Sequence, residues 1–152
     1  MKLTILAIGR ARTGPEKALF TDYLKRLPWA VDLKEMEVKK ALPPAEKQRQ
    51  EGVLLLAGVP EGAAVVVLDE GGRPLASAEL AERLGQWQDE GRRDVALLIG
   101  GADGHTDEVK ARADLLLAMG RMTWPHMLAR VMLAEQLYRA WSILSGHPYH
   151  RA

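Results

Sequence analysis

Residues 94–104, DVALLIGGADG, join an unbroken apolar run to a glycine-rich turn. A short apolar run of this kind is typical of a strand that is buried on both faces, as the strands of a parallel sheet are. Ligands bind open α/β sheets just beyond the carboxyl ends of such strands, and glycines there let a ligand approach the backbone. The turn lacks the endings of a P-loop and of a dinucleotide fingerprint. It is therefore a candidate binding loop of another kind, with a purely structural turn as the alternative.

Strand and helix patterns alternate on both sides of this stretch. Apolar runs predict further strands at residues 3–9, 31–38 and 63–68, and residues 70–74 are predicted to form a flexible loop. Five helices are predicted, over residues 15–28, 43–57, 77–90, 106–117 and 126–145. Leu19 is expected to face inward on the first of them, and Ser77 and Thr106 are expected to be the N-caps of the third and fourth. This alternation predicts an α/β fold with a mostly parallel sheet flanked by helices, in one domain over residues 1–152.

The composition excludes several classes of chemistry. The 152 residues include no cysteine, which excludes disulfides, thiolate metal sites and methylation through a covalent cysteine adduct. The apolar runs are too short to cross a bilayer, and no signal peptide is evident, so we expect a cytoplasmic protein without a membrane partner. The net charge is only +1. From Arg121 onward, however, four arginines stand against one glutamate, which indicates either a nucleic-acid surface or a solvated helix face with its tail.

The chain ends in an unusual set of side chains. Residues 147–151, HPYHR, offer two imidazoles, a phenol and a guanidinium, whereas a frayed tail is normally small and polar. Two histidines without a carboxylate or thiol do not complete a metal site, so a substrate-facing tail is favoured over a metal. On the preceding helix, Glu135 and Arg139 have the spacing of a helical ion pair, and the alternative is that the arginines face RNA. That helix is apolar on nearly all sides, which indicates a partner subunit against one of them.

At these motifs the chain resembles a known family. The resemblance rests on LLIGG at residues 97–101 with Gly104, on TWPH at 123–126 with Arg130, on AEQLYRAWSI at 134–143, and on the ending HPYHR. MKL at residues 1–3 and YLKR at 23–26 also match. The sequence is similar over its whole length to the RlmH family, which comprises methyltransferases of large-subunit ribosomal RNA within the SPOUT superfamily.

The resemblance implies a fold, a cofactor and a set of site residues. It implies a SPOUT fold with a C-terminal trefoil knot, a homodimer, and methyl transfer from S-adenosyl-L-methionine to N3 of a pseudouridine in 23S rRNA on the assembled ribosome. The implied cofactor-binding residues are Leu68, Gly100, Gly101, Met119, Gly120, Arg121, Met122, Thr123 and Trp124. The residues implied to bind RNA are His126, Arg130, Arg139 and Arg151.

The proposed chemistry agrees with the residue types. N3 of a pseudouridine carries a proton, so a base must remove it or the enzyme must stabilise the anion before the methyl group is transferred. His150 and Tyr149 are the candidates for handling that proton, with Glu135 as a further candidate base. A sulfonium donor is a strong electrophile, so no metal is expected. Two rival hypotheses remain: a SPOUT enzyme with another target, such as a tRNA ribose, and a non-catalytic protein that binds RNA or the ribosome through its basic end.

Overall fold

A single parallel sheet of five strands forms the centre of the fold in the computed structural model, which describes residues 1–151. The strands are β1 (Lys2–Ile8), β2 (Ala30–Met36), β3 (Ala64–Pro74), β4 (Asp94–Ile99) and β5 (Leu115–Ala118). They are arranged in the order β2-β1-β4-β3-β5, and every pair is parallel. The predicted α/β fold is confirmed. Ala152, the last residue of the predicted domain, lies outside the described residues.

The apolar runs lie at the middle of this sheet. Leu98 in β4 is flanked in register by Leu6 of β1 and Val67 of β3, and all three side chains are fully buried. Burying a side chain of this size is worth about 1.5–3 kcal/mol. Residues 94–99, which the sequence predicts to be a strand buried on both faces, therefore form the central strand of the sheet.

Five helices cover the two faces of the sheet. They are α1 (Pro15–Arg26), α2 (Pro44–Ala57), α3 (Ser77–Asp89), α4 (Asp107–Arg112) and α5 (His126–Ser145). Helix α5 packs between α1 and α3 on one face, and α2 lies beside α4 on the other. The sides of α5 are thus largely covered within one chain, and Leu133 and Leu137 are fully buried there. Most of its apolar pattern is explained within one chain, whereas Leu128 and Leu144 stay exposed.

The region after β4 differs from the prediction. The helix expected from Thr106 to Leu117 ends at Arg112, because Asp114 anchors the following segment to β3 as a fifth strand. The Asp114 carboxylate accepts from the backbone N–H of Val65 at 2.8 Å, and the Asp114 N–H donates to the Val65 carbonyl at the same distance. Thr106 does cap the helix, since its hydroxyl accepts from the Val109 N–H.

Residues 70–74, predicted as a flexible loop, continue β3 along β5. The pairing resumes after an irregular step, with Arg73 opposite Leu117. A Cβ placed on Gly72 would lie 2.7 Å from the Leu116 backbone, so this close approach requires glycine. The prediction was wrong because glycine and proline mark a turn only where no neighbouring strand pairs with them.

Two details of the helices also differ from the prediction. Leu19 is 47% exposed, and Phe20 is the buried side chain of α1 instead. Ser77 is the first residue of α3 rather than its cap, and its hydroxyl donates to Gln136 of α5 at 2.7 Å. The helix start is held instead by Glu79, whose carboxylate accepts from the Ala76 N–H. Within residues 1–151, no helix has the length and apolar character that crossing a membrane requires.

Candidate active site

A pocket of about 430 Å³ opens at the carboxyl ends of β4 and β5, beside the irregular step of β3 that follows Leu68. Its volume lies in the range of small-molecule sites, and its place at the strand ends is where open α/β sheets bind ligands. The residues that line it are Leu68, Asp69, Glu70, Ile99, Gly100, Gly101, Ala102, Asp103, Gly104, His105, Leu117, Met119, Gly120, Met122, Thr123, Trp124, His126 and Ala129.

The predicted cofactor residues come together in this pocket. All of them except Arg121 line it, although they come from three separate parts of the chain. Trp124 closes the loop of residues 119–124 on itself, because its indole N–H donates to the Met119 carbonyl at 2.9 Å. Of the residues predicted to bind RNA, only His126 lines the pocket.

Gly100 and Gly101 follow β4, and side chains from other parts of the chain pack closely against both. A Cβ on Gly100 would lie 3.0–3.2 Å from three atoms of the His105 ring. A Cβ on Gly101 would lie 3.0 Å from Oε2 of Glu51 and 3.1 Å from Ile8. The space that these glycines leave free is thus filled by protein side chains packed against the loop.

His105 supports the pocket from within and was missed by the sequence analysis. Its side chain is buried, and Nε2 lies 2.9 Å from the Leu68 carbonyl. A carbonyl only accepts, so Nε2 carries the proton and Nδ1 is left as an acceptor, with no partner among residues 1–151. Burial lowers the pKa of this imidazole below its ordinary value. A lone histidine after a glycine turn carries no spacing signal, so only the structure could identify it.

The buried imidazole predicts a pH-dependent stability. Because the pKa of His105 is lower in the folded chain than the ordinary histidine value of about 6.5, the unfolded chain binds a proton first as the pH falls. The free energy of unfolding should therefore decrease below pH 6.5, with a slope of up to about 1.4 kcal/mol per pH unit from this group. Urea denaturation from pH 7.5 to 5 measures that slope. His105→Gln should reduce it; equal slopes in the variant and the wild type would exclude the effect.

Arg130 is buried in an ion pair, whereas the resemblance implies that it contacts RNA. It is 1% exposed, and its guanidinium pairs with Glu35 and donates to the Gly9 carbonyl at 3.0 Å. Glu35 also accepts from the Ala11 N–H at 2.7 Å, and the hydrogen bond from Arg130 contributes to lowering its pKa against the effect of burial. Arg130 thus joins α5 to the ends of β1 and β2, and in this arrangement its charge is not available to a phosphate.

The residues predicted to handle the proton form a second cluster on α5 and the tail. The Tyr149 hydroxyl donates to Oε1 of Glu135 at 2.9 Å, and Nε of Arg139 donates to the same oxygen at 3.0 Å. Nη1 of Arg139 lies 3.0 Å from Nδ1 of His150. The Tyr149 ring packs edge-on against Tyr138 at 4.7 Å. The tail is therefore held in place by specific contacts, and Arg151, which follows it, is exposed.

The hydrogen bonds of this cluster determine which groups can donate or accept. A guanidinium only donates, so Nδ1 of His150 accepts from Arg139 and a neutral imidazole carries its proton on Nε2. Burial, together with hydrogen bonds to Tyr23 and Glu135, raises the pKa of Tyr149 far above its ordinary value, so the phenol stays protonated. The hydrogen bond to Glu135 likewise raises the pKa of Arg139. The cluster is therefore a set of hydrogen-bond donors, with Glu135 already occupied.

The cluster and the pocket are separate within one chain. No residue of the cluster lines the pocket. Glu135 lies nine residues beyond His126 on α5, and at 1.5 Å per residue this places the two about 13 Å apart along the helix axis. Exposed apolar side chains surround the pocket side of this helix, with Met122 73% exposed, Trp124 40% and Leu128 42%. In residues 1–151, no group of three or more histidine and acidic side chains is placed to hold a metal ion.

Comparison with known proteins identifies relatives over the full length. The family model described as "Predicted SPOUT methyltransferase" matches residues 1–150. A protein of Rhodospirillum centenum named ribosomal RNA large subunit methyltransferase H is 58% identical over 152 residues, covering all of both chains. A protein of the same name from Paramagnetospirillum magneticum is also 58% identical and covers 99% of each chain.

Solved structures show the same fold at low sequence identity. A probable methylase family protein from Haemophilus influenzae aligns with a TM-score of 0.60 at 11% identity, covering 99% of this chain and 70% of the other. A methylase family protein from Neisseria gonorrhoeae aligns with a TM-score of 0.53 at 12% identity, covering 97% and 95%. At these identities the likeness concerns the arrangement of strands and helices alone.

Proposed function

The chain belongs to the SPOUT methyltransferase family, and on that premise we propose that it methylates large-subunit ribosomal RNA with S-adenosyl-L-methionine as the donor. The finer proposal is that the target is N3 of a pseudouridine in 23S rRNA on the assembled ribosome, which would locate the reaction in the cytoplasm. The observation that carries the proposal is the pocket at the ends of β4 and β5 and beside the irregular step of β3, where all predicted cofactor residues but one converge.

The pocket fits a nucleoside-type donor. Its wall combines backbone groups of the two glycine-containing loops with apolar side chains from Leu68, Ile99 and Leu117. Residues 100–101 and 119–124 would hold the donor chiefly through backbone N–H and carbonyl groups. When bound, S-adenosyl-L-methionine supplies an electrophilic methyl group, so the reaction needs no covalent intermediate on the protein. The protein's task is to place the acceptor nitrogen in line and to stabilise its charge.

The C-terminal cluster supports stabilisation of the anion rather than removal of the proton by a base. N3 of the uracil ring is flanked by two carbonyls, so its deprotonated form spreads negative charge onto those oxygens. Nε2–H of His150 and the N–H groups of Arg139 that Glu135 and His150 do not use are donors that suit such oxygens, and the Tyr149 hydroxyl holds Glu135 in place. In this proposal the N3 proton leaves to water, and Arg151 contacts an RNA phosphate.

We further propose that the active site forms across a homodimer. The cluster and the pocket do not meet in one chain, so the tail of one protomer would reach the pocket of the other. The exposed apolar side chains of Met122, Trp124 and Leu128 beside the pocket suit a surface that a second copy covers. The family's trefoil knot and this dimer remain predictions for this chain.

A binding and methyl-transfer assay tests the proposed function. The protein alone should bind S-adenosyl-L-methionine in calorimetry, with one site per chain. With methyl-labelled donor, label should enter 23S rRNA on ribosomes lacking the modification, and mass mapping should place it on N3 of a pseudouridine. Label in tRNA would indicate another target. RNA binding without donor binding at millimolar concentration would identify the non-catalytic rival and overturn the proposal.

A further inference from the structure

The carboxyl group of Glu51 is buried directly behind the loop of residues 100–104, and the proposed function does not use it. It lies on α2 and is 4% exposed. Its two oxygens would lie 3.0 and 3.1 Å from a Cβ on Gly101, and Oε1 has no hydrogen-bond partner among residues 1–151. Because Gly101 has no side chain, only the backbone of the loop separates this carboxyl group from the pocket.

The position of Glu51 is fixed by contacts between α2 and the loop. One turn earlier on the helix, Nε2 of Gln48 donates to the Asp103 carbonyl at 2.8 Å and to the His105 carbonyl at 3.2 Å. One residue later, a Cβ on Gly52 would lie 3.0 Å from the Thr106 hydroxyl. These contacts hold the Glu51 carboxyl group at a fixed distance from the loop, and therefore from a ligand bound in the pocket.

The charge of Glu51 is only weakly compensated within the protein. Burial is the main influence that raises its pKa, and Asp103 on the loop raises it further. Lys47 on the same helix and His126 at the start of α5 act in the opposite direction. Glu51 forms no ion pair with any residue from 1 to 151, and an unpaired buried carboxylate is unfavourable. A positive charge in the pocket would offset that cost.

We propose that Glu51 is a specificity-determining residue that favours the positively charged S-adenosyl-L-methionine over the uncharged thioether product, S-adenosylhomocysteine. The inference rests on the proposed function, since it takes this donor as the ligand of the pocket. Before transfer, the carboxylate attracts the sulfonium from behind Gly101. The reaction breaks the sulfur–methyl bond and forms the nitrogen–methyl bond, and sulfur keeps the bonding electron pair and becomes neutral. The attraction is then lost, which favours release of the product.

The two ligands form a matched pair that tests this role by binding alone. Calorimetry on the full-length protein gives the ratio of the affinity for S-adenosyl-L-methionine to that for S-adenosylhomocysteine at pH 7, 6 and 5. Glu51→Gln should lower the ratio by about tenfold at pH 7, chiefly through the donor, as expected for the loss of one charge interaction across a few ångströms of protein. Glu46→Gln is the control, because it makes the same change on the same helix at a half-buried carboxylate that pairs with Arg49 and does not line the pocket.

The pH arm tests the wild-type protein without substitution. Protonation of Glu51 removes its charge, so the wild-type ratio should fall as the pH is lowered from 7 to 5, and the Glu51→Gln ratio should stay constant. If Glu51→Gln does not fold, as judged by circular dichroism, the wild-type ratio is compared with that of His126→Gln, because His126 also lines the pocket; a pH dependence that disappears in His126→Gln would overturn the role of Glu51. A ratio that is unaffected by pH in the wild type, or equal in all three proteins, would overturn the role of Glu51 and leave the proposed function intact. Failure of the wild type to bind either ligand would overturn the proposed function itself.

Discussion

Deletion of residues 147–152 should lower methyl transfer by at least about 10²-fold, because it removes the donors that we propose stabilise the N3 anion. Binding of S-adenosyl-L-methionine should stay within about twofold of the wild type, since no residue of the tail lines the pocket. Single-turnover transfer on ribosomes and calorimetry measure the two quantities separately. Near-normal transfer by the truncated protein would contradict the assignment.

Point variants distinguish chemistry from packing within the tail. Tyr149→Phe keeps the ring against Tyr138 but removes the hydroxyl that Glu135 accepts from, so a loss of rate without a loss of stability would support a role in positioning Glu135 and Arg139. His150→Ala should lower the rate constant, whereas Arg151→Ala should weaken RNA binding and reduce its dependence on salt.

The pH profile of methyl transfer distinguishes the two ways of handling the N3 proton. A transfer rate that rises with pH beyond the range of histidine would support anion stabilisation, and a plateau near pH 7 would support a general base.

Mixed dimers test whether the tail acts on the partner's pocket. A chain with Gly100→Val provides an intact tail, and a chain with His150→Ala provides an intact pocket. If sites form across the dimer, co-expression should restore about a quarter of wild-type activity, because half of the dimers are mixed and each holds one intact site of two. A tail that acts on its own pocket would give no recovery. A monomer in sedimentation would exclude the shared site.

The sequence predicted the sheet because its central strands are buried on both faces. Residues 94–99 can only occupy an interior strand, and the helices between such strands follow from capping and proline signals. The fifth strand was missed because its pairing depends on Asp114, which contacts Val65 across 49 positions of sequence. No local pattern contains a contact of that kind.

The site was predictable only where a motif marks it. The chain-wide resemblance named residues that, except for Arg121, lie together at one pocket, and their role in binding the cofactor stays a prediction; the residue pattern alone predicted only a glycine loop that could bind a ligand. Glu51 and His105 were missed because their roles depend on packing against Gly100 and Gly101. The resemblance implied that Arg130 binds RNA, and in this structure its guanidinium is buried and paired with Glu35. Whether a charged side chain is buried and paired or free to bind RNA depends on the assembled fold, which the local sequence does not show.

Gly100→Val should lower the affinity for S-adenosyl-L-methionine by at least about 100-fold, because the new side chain would enter the space of the His105 ring. Moving that ring breaks its hydrogen bond to the Leu68 carbonyl and shifts the strand end that forms the pocket wall. Calorimetry measures the affinity, with circular dichroism to confirm folding.

The cause of that loss can be tested by combining two changes. If the displaced His105 ring is responsible, Gly100→Ala and His105→Ala should each weaken binding, and the double variant should be little worse than the weaker-binding single variant, because both changes act through one hydrogen bond. If the glycine is needed instead for direct approach of the ligand, the two losses should add. Gly91→Ala is the control: it has a φ of +80° and nothing within 4 Å of a Cβ, so it strains the backbone outside the pocket without touching either group. A folded Gly100→Val protein with wild-type affinity would exclude both explanations and move the donor away from this loop.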